Sequence, residues 1–120
     1  TDDTGGAYGV IYVEAAHNEG PPPHMHSRED ETFLIERGTL EIWLSGETHM
    51  AHAGDIVWAP RNVPHTFRIA SEEGASSWVL LTPGGFDNYF RDCAELVESG
   101  NATPETMMNL GNRYDLTFLV

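Results

Sequence analysis

Residues 20–38 read GPPPHMHSREDETFLIERG. Pro21, Pro22 and Pro23 hold the backbone extended, because each ring fixes φ and biases the residue before it away from helix. In an extended segment side chains alternate between faces, so His24 and His26 point the same way and Met25 points the other. A second alternation follows: Glu31, Phe33 and Ile35 share one face, with Thr32, Leu34 and Glu36 on the opposite one. Gly38 closes the stretch. Titratable groups are therefore aimed at the same interior as the apolar residues next to them.

The same period continues on both sides. YGVIYV (8–13), TLEIWL (39–44), THMAHA (48–53), IVWAP (56–60), HTFRIA (65–70) and SSWVLLTP (76–83) are short β-branched or aromatic runs. Turn signals rich in Gly, Pro, Asn or Glu separate them. Strands of this length and spacing predict an all-β barrel or sandwich. The last third changes character. In GGFDNYFRDCAELVESG (84–100), Phe86, Phe90, Cys93 and Val97 fall at i, i+4, i+7 and i+11, which predicts an amphipathic helix stopped by Gly100. TPETMMNLG (103–111) predicts a second helix capped by Thr103, with Pro104 in its first turn and Gly111 ending it. LTFLV (116–120) is an apolar tail expected to pack down. The expected organisation is one domain: residues 1–83 plus the tail form the barrel, and 84–111 form a helical segment of the same unit.

The chain has 120 residues, enough for one ordinary domain. Its formal net charge is −13, and its six basic residues are scattered arginines. Such a charge repels phosphate backbones and anionic bilayers, so nucleic acid and membrane partners are not expected. No apolar run reaches the length of a membrane span, and no secretory leader pattern is visible. Cys93 is the sole cysteine. A lone thiol makes no internal disulfide, so a reducing, cytoplasmic setting is expected.

The chemistry lies in four residues. His24, His26 and Glu31 come from the opening stretch, and His65 opens a later strand after Pro64, on one face with Phe67 and Ile69. Three imidazoles and a carboxylate suit one divalent transition ion: Fe, Mn, Co, Ni, Cu or Zn. Glu29 and Asp30 compete with Glu31 for the carboxylate place, and parity with Phe33 favours Glu31. His17, His49 and His52 lie in polar loops or beside turns and are expected at the surface. Cys93 falls on the helix's apolar face and is expected to be buried and inert. Phe33 and Phe67 neighbour the ligands and are expected to line a pocket, with Tyr12 and Trp43 as further candidates. For Trp43, Trp58 and Trp78 the default expectation is core.

These residues carry a family likeness. Gly20, His24-x-His26, Glu31 and Gly38 resemble the first motif of the cupin superfamily. Gly54, Pro60, Pro64 and His65, in GDIVWAPRNVPHTF, resemble the second. Asn62 stands where that motif has Gly, and Ile69 where many members have Asn. The resemblance implies a single jelly-roll β-barrel with a C-terminal helical appendage, and a metal ion bound inside it by His24, His26, Glu31 and His65.

TGGAYGVIYVEA, PPPHMHSREDETF, APRNVPHTF and LTPGGFDNYF together resemble bacterial single-domain cupins of the quercetin 2,3-dioxygenase-like group. That likeness implies a metal-dependent dioxygenase acting on an enol-, phenol-, flavonol- or diketone-like small molecule. Glu31 would be the general base, its pKa raised toward neutrality by a dry pocket. The alternatives are a non-redox isomerase, cyclase or decarboxylase of a carbonyl or polyketide-like substrate, and a small-molecule-binding cupin without turnover. A homodimer paired through barrel edges is expected.

Overall fold

The computed structural model describes residues 1–119, and Val120 of the apolar tail lies outside them. Nine strands and two α-helices follow one another among the described residues. They are β1 (Gly9–Ala15), β2 (His24–His26), β3 (Asp30–Arg37), β4 (Thr39–Leu44), β5 (Glu47–His52), β6 (Ile56–Ala59), β7 (His65–Ile69), β8 (Ala75–Thr82), α1 (Asp87–Glu98), α2 (Pro104–Arg113) and β9 (Leu116–Phe118). The strands form two sheets, ordered β1-β8-β3-β6 and β5-β4-β7-β2-β9. Their pairings are antiparallel. Two facing antiparallel sheets of this kind make a jelly roll, with the C-terminal helices appended.

Alternation in the sequence decides what lies between the sheets. In β3, Glu31, Phe33 and Ile35 are buried while Leu34 and Glu36 are exposed. In β4, Leu40 and Ile42 are buried, and in β8 Val79 and Leu81. These residues, with Ala51, Ala59 and Ile69, form the core. Parity also corrects one expectation. Trp58 and Trp78 are exposed, not core, because Thr32, Leu34, Trp58 and Trp78 stand on the outer face of the first sheet.

Two glycines are required where they stand. A Cβ on Gly20 would lie 1.9 Å from the Phe67 carbonyl oxygen, so the proline loop can lie against β7 only without a side chain. Gly38 turns β3 into β4 at φ 79°, and a Cβ there would meet the Gly74 carbonyl oxygen at 2.4 Å. Asn62 adopts φ 64° and donates its backbone N–H to the His26 carbonyl at 2.7 Å. It therefore does the work of a left-handed glycine.

The helices form where expected but turn differently. Phe90 and Val97 of α1 are exposed, and its inward stripe is Tyr89, Cys93 and Leu96, continuing from buried Phe86. The sheets sit roughly 50° around the helix, about a seventh of a turn, from the face the spacing suggested. Thr103 caps α2 through a reciprocal pair with Thr106. Gly111 does not end α2, which runs on to Arg113. That glycine is buried, and a Cβ on it would meet the Phe118 ring at 3.1 Å, so it serves as a close-packing point. The tail packs as a strand: β9 pairs with β2, His24 opposite Phe118 and His26 opposite Leu116. No helix among the described residues is long and apolar enough to cross a membrane.

Replacing Gly20 by Ala is expected to cost about 2 kcal/mol or more of stability, as overpacking against backbone does. Urea denaturation checks this, and an unchanged midpoint would contradict the close approach.

Candidate metal centre

The site is assembled by two sheets. β2 carries His24 and His26, and β2 pairs with β7 so that His24 lies directly opposite His65. Glu31 comes from β3 of the other sheet, where it pairs with Ala59 and Leu81. The inward parity of all four residues brings them together between the sheets. One ligand atom from each lies within 4.8 Å of every other. His26 and His65 are 2% exposed, and His24 and Glu31 8%.

The Nε2 atoms of His26 and His65 each stand 3.1 Å from Glu31 Oε2. The His24 ring lies edge-on to those of His26 and His65, with centroids 5.2 and 4.5 Å away. The outer nitrogens are held from behind. His24 Nδ1 donates to the Pro22 carbonyl at 2.8 Å, and His65 Nδ1 to the Val63 carbonyl at 3.0 Å. With a proton fixed on Nδ1, Nε2 is the inward atom that can serve as metal ligand, once the proton it shares with Glu31 is lost in the case of His65. His26 Nδ1 faces Glu29 Oε1 at 3.8 Å. Both ring nitrogens of His26 and Glu29 Oε1 are buried without an aligned hydrogen-bond partner.

These features fit a bound cation. Donor atoms about 2.1 Å from a common ion stand roughly 3 Å apart, the separation seen for His26–Glu31 and His65–Glu31. A buried imidazole whose inward nitrogen lies close to a carboxylate, yet out of hydrogen-bond alignment, is oriented toward a point the two share. Three imidazoles and one carboxylate would hold a divalent transition ion.

Electrostatics match this donor set. Burial lowers the His24 pKa to about 4, opposed only in part by the Pro22 carbonyl, so this imidazole is neutral at neutral pH. Burial pushes Glu31 upward, but the imidazoles of His26 and His65, each 3.1 Å from its Oε2, outweigh it and hold the carboxyl at about 2. The expected rise toward neutrality is thus reversed, because two imidazoles stand against a carboxylate that a dry pocket alone would have neutralised. For His65, burial acts downward, and the hydrogen bond and charge of Glu31 win, leaving its pKa raised.

Above the site lies a cavity of about 180 Å³. Ile11, Val13, Phe33, Phe67 and Val79 form its barrel side, and Phe86, Tyr89, Phe90, Leu116 and Phe118 its C-terminal side. Phe33 and Phe67 are among the residues that line it, and Tyr12 and Trp43 are not. Tyr12 is on the outward parity of β1, exposed and hydrogen-bonded to Glu36, while Ile11 and Val13 turn inward. Trp43 follows buried Ile42 and so faces outward from β4, between Thr48 and Thr66.

Glu29, a rival for the carboxylate place, is buried behind His26 and held by Arg28 at 3.0 Å. It faces His26 Nδ1 at 3.8 Å and stands outside the four-residue cluster. His17, His49 and His52 are exposed as expected. Cys93 is half-buried with its thiol pKa raised by burial, so it is not a ready thiolate. The C-terminal wall escapes sequence reading. Its one signal is the aromatic density of 86–90, which helix packing alone would explain. A larger depression, about 630 Å³, lies between α1 and α2, but its acidic, solvent-washed lining lacks a converging donor set.

Comparison with known proteins agrees with this geometry. The model of the cupin domain family matches residues 11–82, which include all four clustered residues. Quercetin 2,3-dioxygenase of Aspergillus japonicus is 31% identical over 94 residues, covering 72% of this chain and 27% of that protein. Quercetin 2,3-dioxygenase of Bacillus subtilis is 28% identical over 96 residues, covering 80% and 28%. The chain thus spans little more than a quarter of the length of these relatives. Among solved structures, KdgF from Halomonas sp. superposes with a TM-score of 0.65 at 24% identity, covering 69% of this chain and 74% of that one. The TT1209 protein of Thermus thermophilus gives 0.63 at 19%, covering 67% and 76%.

Calorimetric titration of the metal-free chain with Co²⁺ or Zn²⁺ is expected to give one ion per chain. Apparent affinity should rise with pH through and above 6.5, because the ion must displace the proton that Glu31 holds on His65. Affinity independent of pH would contradict that pairing. Glu29→Gln is expected to weaken binding about 10-fold by loosening His26.

Proposed function

The chain belongs to the cupin superfamily, and from that premise we propose that it is a metal-dependent dioxygenase acting on a small enol, phenol or diketone. One observation carries the reading. The donor cluster opens into an apolar aromatic cavity in which Glu31 is the carboxylate that a bound molecule can reach, among the described residues. The likeness to two quercetin 2,3-dioxygenases supports it.

His24, His26, Glu31 and His65 would hold the ion. A divalent transition ion supplies Lewis acidity there and, when redox-active, the electron exchange that lets dioxygen react. The remaining work falls to the chain. Phe33, Phe67, Phe86 and Phe90 clamp a flat molecule by its faces and edges. Ile11, Val13, Val79 and Leu116 exclude water. The described lining carries no arginine, so a carboxylate or phosphate on the substrate would meet no side-chain counter-charge.

Glu31 takes the proton of the enol or phenol hydroxyl on the carboxylate oxygen that would not hold the ion. Its basicity is suppressed while His26 and His65 bind it. Glu31 would remain a weak base beside a divalent ion, and the proton can pass to it because a hydroxyl bound at the same ion would be acidified too. The cavity is smaller than the roughly 300 Å³ at which drug-sized pockets begin. One- or two-ring substrates therefore fit better than a three-ring flavonol. The mouth is set by Phe90, which is half-exposed on α1.

An oxygen electrode, with metal-loaded protein and a panel of phenols, enols and 1,3-diketones, tests the reading. Oxygen consumption matching product is expected. Glu31→Gln is expected to lower kcat by about 10²–10⁴, the usual contribution of a positioned base. Turnover that proceeds at full rate without oxygen would replace this reading with Lewis-acid isomerase, cyclase or decarboxylase chemistry. Phe90→Ala is expected to raise KM about 10-fold with kcat nearly unchanged, since it removes binding shared by ground and transition states.

A further inference from the structure

The outer face of the sheet β1-β8-β3-β6 is built like an interior. Register places Val10, Leu80, Thr32 and Trp58 in one row across all four strands. Tyr12, Trp78, Leu34 and Ile56 form the next row. Seven of these eight side chains are large apolar or aromatic groups, and all seven are exposed, from 36% for Leu80 to 68% for Ile56. Ionised groups flank the two rows along the strands: Glu14 and Glu36 lie past one row, with Glu36 accepting from Tyr12 and Trp78, and the Asp30–Arg61 pair lies past the other. Isolated exposed hydrophobics need no explanation, but two adjoining rows across a whole sheet do.

We propose that this face is the contact between two copies of the chain, stacked sheet on sheet about a two-fold axis. Area is the first reason. With aromatic side chains each offering about 150–250 Å² when fully exposed, the patch presents on the order of 700 Å². That exceeds the few hundred Å² usual for a monomer's largest patch and matches one side of a standard interface, about 800 Å².

Charge is the second reason. At net charge −13 two copies repel, and these uncharged rows are a surface on which they can close without bringing carboxylates together. Shape is the third. A twisted antiparallel face is self-complementary to another at about 30°, so one patch serves both partners, as two-fold symmetry demands. The cavity opens between the sheets near α1, so the contact leaves it free. The proposal does not rest on the metal reading.

Sedimentation velocity on the whole chain, from about 0.1 to 100 μM, is the test, with tryptophan emission followed over the same dilution. A dimer at micromolar concentration is expected. Leu34→Glu sets two carboxylates against each other at the centre and is expected to raise the dissociation constant at least about 100-fold with near-ultraviolet circular dichroism unchanged. Emission from Trp58 and Trp78 is expected to shift to the red as the dimer dissociates. If Leu34→Glu does not fold, the wild-type emission still decides. A monomer at about 100 μM, a dimer unaffected by folded Leu34→Glu, or dissociation without an emission shift would each overturn the proposal.

Discussion

The structure turns on Glu31 meeting His26 and His65 across the gap between two sheets. The carboxylate belongs to one layer and the imidazoles to the other, 3.1 Å away. Their mutual approach fixes how the layers sit at this end of the barrel. Burying a carboxylate among Phe33, Phe67 and Phe86 would be costly if it stood alone. Here the histidines offset that cost, and a divalent ion among the four would offset it further. The proline loop, the Gly20 contact and left-handed Asn62 all position the strands that carry these groups.

Two parts of the chain divide the labour. Residues 11–82, which match the cupin domain, carry the four clustered side chains. The helices and β9 beyond them carry Phe86, Tyr89, Phe90, Leu116 and Phe118, a large share of the cavity wall. Donor geometry is therefore a property of the shared barrel, and the size and shape of what reaches it depend heavily on the appended segment. β9 joins the two, since its pairing with β2 places Phe118 across from His24.

Much of this was legible in the sequence, because a strand's period of two is unforgiving. Parity alone put Glu31 with Phe33, set His24 and His26 on one face and sent Met25 to the other. It failed where two faces are both apolar. In YGVIYV, Tyr12 and its neighbours Ile11 and Val13 are all hydrophobic, so the inward face cannot be chosen without knowing what lies across the barrel. The same ambiguity hides the place of Trp58 and Trp78, which cover the sheet's outer face instead of filling the core. In α1 the 3.6-residue stripe admits two faces, and only contact with the sheets selects Tyr89, Cys93 and Leu96. The pKa of Glu31 departs from expectation for a related reason. Its burial follows from parity within its own strand, but the two imidazoles that oppose burial come from another sheet.

The most direct measurement is anomalous-scattering crystallography of the chain loaded with Co²⁺ or Zn²⁺. One peak is expected among Nε2 of His24, His26 and His65 and the Glu31 carboxylate, at about 2.0–2.2 Å from each. Glu31 should have given up its hydrogen bond to His65. A peak elsewhere, with Glu31 still bonded to His65, would contradict the account.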